Sequence, residues 1–174
     1  MMVRASLLLS CCIALCLGAM GQVGNTAEDP TASLVALLKK LPTLATDAGR
    51  DSVNASIKTE LRALLEQDDV LTRSFDAVPM SRIDAPDGAF RLFTWNIPRT
   101  NGSHQYEGLL LVNNKKGAVV HELRDATASI TAPEVPELGA ERWYGALYYQ
   151  VIPVKKGAKT YYTLLGWKGF SAVE

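Results

Sequence analysis

Several things are scarce in this 174-residue chain, and each scarcity closes off a class of function. Cysteine occurs only as Cys11, Cys12 and Cys16, all near the amino terminus. Beyond them no thiol is available for a nucleophile, a metal thiolate or a disulfide. Histidine occurs twice, as His104 and His121. Charge of one sign is also lacking, since 18 basic residues face 18 acidic ones. A neutral chain has no electrostatic footprint for nucleic acid or for an acidic membrane surface. Glycines are scattered singly, so no phosphate-cradling loop is present, and no cofactor motif is found.

One long apolar run exists, Ala5 to Met20, after the basic start Met1-Met2-Val3-Arg4. Ala19 and Gly21 place small residues at −3 and −1 before Gln22, the anatomy of a secretory signal peptide cleaved after Gly21. The run is about 16 residues, short of the roughly 20 that a spanning helix needs. A lipoprotein anchored through Cys11 is the alternative, because Leu8-Leu9-Ser10-Cys11 loosely resembles a lipobox. Lipid-modified cysteines close the apolar run, however, and here nine residues of it follow Cys11. The expected location is therefore periplasmic or secreted, with no integral membrane segment after leader removal. Taking residues 1–21 from 174 leaves 153, enough for one domain with a proper core.

Residues 22–78 read as a helical segment packing on a sheet, and residues 79–174 as an antiparallel β-domain. Asp29-Pro30 resembles an N-cap followed by proline at the first helical position. Leu34, Leu37, Leu38 and Leu41 then recur on one helical stripe, which Pro42 ends or kinks. A second helix begins between Asp47 and Ser52, with Val53, Ile57, Leu61, Leu64 and Leu65 as its apolar face. Asn54 and Asn101 head Asn-x-Ser sequons, which mean something only in a eukaryotic host. From Pro79 the period changes to alternation. Strands are expected at Met80–Asp84, Ala89–Asn96, Tyr106–Val112 and Ala118–Leu123, separated by Gly- and Asn-bearing turns. Phe93 and Trp95 fall on one face of the second, Phe90 and Leu92 on the other. Residues Arg124 to Gly139 read as a long irregular connection. The fold class is thus α+β: two N-terminal amphipathic helices followed by a meander-like antiparallel sheet of about six strands.

The densest feature is Trp143 to Trp167, where two aromatic and β-branched runs flank Lys155-Lys156-Gly157-Ala158-Lys159. Eight of the 13 aromatic residues lie between Trp143 and Phe170, so this hairpin is where the sheet core is expected. Alternation puts Trp143, Leu147, Tyr149 and Val151 on one face and Tyr144, Tyr148 and Ile152 on the other. Both sets are apolar, which predicts a strand covered on both sides. Pro153 belongs at a strand end or an unpaired edge. Core packing is the ordinary use of such a cluster, but tyrosine hydroxyls also make it usable for binding. Trp143, Tyr148, Tyr149, Tyr161, Tyr162 and Trp167 are the candidate ligand platform.

Catalytic readings are thin. If the Asn113–Gly117 turn pairs Val112 with Ala118, His121 points away from the His104 face, and the two share no metal. His121-Glu122-Leu123-Arg124-Asp125 begins like a zinc-protease helix, but its fifth residue is Asp125 and the segment reads as a strand. Ser103 precedes His104 without a nucleophile elbow. Asp84, Asp87, Glu107 and Glu122 offer carboxylates for a glycosidase pair, although their default use is turn chemistry and solvated strand face. Lys155, Lys156 and Lys159 read first as a solvated hairpin tip.

Phe93-Thr94-Trp95-Asn96-Ile97-Pro98 with its following turn, Trp143 to Tyr149, and Tyr161 to Trp167 together resemble a group of uncharacterised secreted proteins of Bacteroidetes-type bacteria. The resemblance spans about Phe90 to Gly169 and carries no assigned activity, so it transfers no catalytic residue. Members of the group read Gly-Trp-Asp-Gly-Asn after the Leu-Leu pair and continue with further strands. This chain reads Gly166-Trp167-Lys168-Gly169-Phe170, which with its exposed apolar last strand suggests a C-terminally truncated member. The expectation is a non-catalytic envelope or secreted binding or structural module, with an envelope protein or a glycan as partner. The competing reading is a hydrolase acting on cell-envelope or polysaccharide material through a carboxylate pair.

Overall fold

The computed structural model describes residues 29–132 and 137–169. The leader, Cys11 and the Pro133 and Pro136 positions lie outside them. Helix α1 spans Ala32–Lys40 and α2 spans Asp47–Leu65. The N-cap of α1 is Thr31, two residues beyond the expected Asp29, whose carboxylate instead accepts from the amide and hydroxyl of Thr31 (2.9 and 2.8 Å) in the turn before the helix. Pro42 falls in a single 3₁₀ turn, Leu41–Thr43, that ends the first helix. Thr46 caps α2, its hydroxyl oxygen accepting from the Gly49 amide (3.2 Å).

Six strands follow, β1 Ser81–Asp84, β2 Phe90–Pro98, β3 His104–Asn114, β4 Gly117–Arg124, β5 Leu147–Lys156 and β6 Lys159–Trp167. All pair antiparallel, so the class is α+β. They form two sheets rather than one: four strands in the order β1-β2-β3-β4, and the β5-β6 hairpin apart from them. The physical reason lies in the connection before β5, which carries the chain across the sheet instead of along its edge. There Trp143 bonds backbone to backbone with Arg124 and Ala126. Gly88, Gly102 and Gly157 lie in hairpin turns and Gly117 opens β4 directly after one, each at positive φ. At Gly157-Ala158 the first central residue takes φ 62°, which suits the twist of a two-residue turn.

The pleat of the four-stranded sheet divides two cores. One face carries Phe93, Trp95, Ile97, Leu109 and Leu111 and packs on Leu34, Ile57, Leu61 and Leu65 of the helices. The other carries Ile83, Leu92, Tyr106 and Leu123 and packs on Trp143, Leu147, Tyr148, Val151 and Leu164. The hairpin is thus a second cover, and Tyr148 fixes its place: its amide donates to Thr94 Oγ1 (3.3 Å) and its carbonyl accepts from Ser81 Oγ.

The hairpin departs from the simple alternation in two ways. A bulge between Tyr148 and Gln150 shifts the register, so Tyr148 and Val151, three residues apart, both face inward, where alternation had put Ile152 with Tyr148. Its outer face is also uncovered: Tyr149 is 66% exposed, Trp167 53%, Tyr161 53% and Val154 47%. Expecting cover on both sides was therefore incorrect. Pro153 lies within β5 opposite Tyr162, on a strand that among the described residues pairs only with β6 and so keeps one unpaired edge, the second of the two places expected for it.

Candidate functional site

Between the second sheet face and the hairpin lies an apolar cavity of about 410 Å³. Its floor is Leu92, Leu110 and Val112, three residues that alternation and cross-strand pairing bring to one face. Its roof is Tyr148, Tyr162 and Leu164 from the hairpin, and Leu138, Ala140 and Trp143 close one side. Phe90 packs edge-to-face on Tyr162 with ring centroids 5.0 Å apart. The Tyr162 hydroxyl donates to Asp87 (2.6 Å), tying the hairpin to the β1–β2 turn and holding the Asp87 carboxyl below the usual range. At the other side Trp143 Nε1 donates to the Tyr148 hydroxyl (2.9 Å).

The candidate aromatics are consequently split. Trp143, Tyr148 and Tyr162 line the cavity, whereas Tyr149, Tyr161 and Trp167 stand exposed on the hairpin. Alternation is the cause: Tyr148 and Tyr149, like Tyr161 and Tyr162, are neighbours along one strand and point to opposite faces. The floor residues were partly legible, because Phe90 and Leu92 had to oppose Phe93 and Trp95. Leu110, Leu123 and Leu164 gave no sign beyond their apolarity.

The far end of this layer is pinned by Lys168. Its Nζ donates to Thr127 Oγ1 (2.7 Å) and to the Gly145 carbonyl (2.6 Å). It also lies 4.5 Å from the Tyr106 ring centroid and 4.3 Å from that of Tyr144. Desolvation pushes its pKa down, against the attraction of Asp125. Asp125 accepts from the Tyr106 amide (3.0 Å) and the Thr127 amide (2.9 Å). Burial works against its ionisation, but the bonds from Thr127 and Tyr106 outweigh it and hold the carboxyl below the usual range. Gly145 fits here because a Cβ would come within 2.5 Å of Tyr106 Cβ.

A pH dependence follows from Asp125. Its folded pKa lies below the unfolded value near 3.9, so its contribution is complete above about pH 4 and lost as pH falls through the folded pKa. Urea unfolding should show stability falling below about pH 4, and Asp125→Asn should flatten part of that slope. An unchanged slope in the variant would show that other carboxylates carry the effect.

The four carboxylates do not converge on the cavity. Asp84 forks with Arg91 (2.9 and 3.2 Å), and Asp87 holds Tyr162. Glu107 and Glu122 do meet, but under α2 and bridged by Lys58 at 3.2 and 2.9 Å. The Lys58 bond keeps the Glu122 carboxyl below the usual range, the opposite of what a general acid needs. Asn54 is buried beside them, donating to Glu107 (3.0 Å) and accepting from Trp95 Nε1 (2.8 Å), so its sequon is no glycan acceptor.

The histidine expectation needs correcting. Asn113, not Val112, pairs with Ala118, and His121 stands opposite Leu110. This one-residue difference puts His121 on the same face as His104, not the reverse. They still share no metal, because six residues of β3 separate the two levels, roughly 20 Å. No cluster of three or more His, Cys, Asp or Glu suited to a metal occurs among the described residues. Ser103 bonds its own turn through Asn101 (2.7 Å). Lys155, Lys156 and Lys159 are exposed at the hairpin tip.

No helix among the described residues is long and apolar enough to cross a membrane. No protein-family model matches the chain, and neither a curated protein nor a solved structure matches it.

Proposed function

We propose that the protein is an exported, non-catalytic binding module of the bacterial envelope or its surroundings, cleaved after Gly21. Its ligand site on this reading is the cavity between sheet and hairpin, and the consecutive strands β1 to β4 serve as a meander-like scaffold behind it. The observation that carries the reading is the cavity itself. Its volume lies within the ~300–1,000 Å³ of small-molecule sites. Its wall is apolar with a few hydroxyl and indole groups, the composition of binding pockets rather than of acid–base centres. An amphipathic helical cover on the first face leaves the second face free to carry the site.

The test uses the uncharged fluorescent probe N-phenyl-1-naphthylamine. Saturable fluorescence gain with the folded protein, abolished by Leu164→Trp filling the cavity, is the expected result. A signal that rises linearly and equally in both proteins would remove the binding reading. N-terminal sequencing of exported protein should find Gln22 first, and an intact Met1 in a cytoplasmic fraction would remove the export reading.

A further inference from the structure

Three polar side-chain groups line the cavity wall, and two of them are committed. Trp143 Nε1 donates to Tyr148, and the Tyr162 hydroxyl donates to Asp87. The Tyr148 hydroxyl accepts from Trp143 and, among the described residues, donates to no acceptor. A tyrosine hydroxyl has one hydrogen to give, and a half-buried donor gains by finding an acceptor.

We propose that the cavity takes an uncharged, mainly hydrocarbon molecule with one acceptor, an ester or ketone oxygen, seated against the Tyr148 hydroxyl. The wall supplies the rest of the specificity. Leu92, Leu110, Val112 and Leu164 reward apolar surface, and among the described residues no cationic side chain lines the cavity. The charge bonded to the wall is Asp87, an anion held by Tyr162, and Lys155 acts on that carboxylate. A carboxylate entering the cavity would lose its hydration with no cation to replace it. The neutral ester keeps the hydrogen bond without that cost. This assignment rests on the binding-module reading, which it narrows to a ligand class.

The experiment compares three probes of matched medium chain length: an n-alkane, a fatty-acid methyl ester, and the corresponding carboxylate at neutral pH. Calorimetric titration of the wild type should rank the ester roughly tenfold tighter than the alkane, the size of one good hydrogen bond. The carboxylate should bind more weakly than the ester. In Tyr148→Phe, checked for folding by thermal melting, the ester-to-alkane ratio should collapse to about one. If that variant does not fold, the ratio in the wild type decides. Equal ester and alkane binding in the wild type overturns the Tyr148 assignment while the cavity reading stands. A carboxylate as tight as the ester overturns the exclusion of charge. No saturable binding of any probe overturns both.

Discussion

Replacing Trp143 by alanine should cost about 3–5 kcal/mol of unfolding free energy, the usual range for deleting a buried aromatic ring. The indole is 7% exposed and packs with Leu123 and Tyr148 in the second core. Its removal takes away apolar contact, opens the existing cavity further and leaves the Tyr148 hydroxyl without its donor. The surrounding layer is poorly placed to collapse into the gap. Trp143 is held by its own backbone to Arg124 and Ala126, and the hairpin is held at Tyr148 by Thr94 and Ser81. Trp143→Phe should recover more than half of the loss, because a six-membered ring is restored and only the remaining part of the indole, with its N–H, is missing. Urea unfolding of the three proteins measures both values. A Trp143→Ala protein of wild-type stability that no longer binds the apolar probe would make the ring a ligand contact and not a core residue.

The helical stripe of Val53, Ile57, Leu61, Leu64 and Leu65 is buried throughout, because a 3.6-residue period constrains one face over many turns. Strand positions were legible for the same reason, and each turn was marked by a glycine that now takes positive φ. Register was not. Whether Asn113 or Val112 meets Ala118 depends on the turn's backbone, and that one residue reversed the face assigned to His121. The bulge at Tyr148 is the same kind of failure. One unpaired residue put Val151 rather than Ile152 on the inward face with Tyr148.

The division into two sheets escaped for a different reason. Local pattern predicts that β5 and β6 pair, but not which surface they then cover. That depends on Trp143 meeting Arg124 and on Lys168 reaching Thr127 and Gly145, contacts between residues far apart in the chain. The site follows from this placement: a hairpin continuing the sheet edge would have left Leu92 and Leu110 without a roof.

Lys58→Met should lower stability by about 2–3 kcal/mol, less than the roughly 3–5 kcal/mol seen when a fully buried ion pair is broken. The discount is for solvent, since the Lys58 side chain is 29% exposed. Its ammonium sits between Glu107 at 3.2 Å and Glu122 at 2.9 Å. Glu122 is 34% exposed and keeps Arg62 at 3.4 Å, so it tolerates the loss. Glu107 does not: its side chain is 8% exposed, and only the amides of Asn54 and Gln105 would remain against its charge. Glu107→Gln added to Lys58→Met should therefore restore part of the stability, because a neutral amide needs no counter-ion and its oxygen still accepts from both. Desolvation disfavours the charged Lys58, yet its bond to Glu122 and the charges of both carboxylates outweigh this and raise its pKa. A raised folded pKa makes the stabilisation complete below the unfolded value near 10.4 and lost as pH climbs through the folded one. The gap between wild type and Lys58→Met should thus be level around neutrality and narrow only in strong alkali. Urea midpoints across pH read this directly, and a Lys58→Met protein within about 0.5 kcal/mol of wild type at pH 7 would show that Glu107 needs no cation to stay buried.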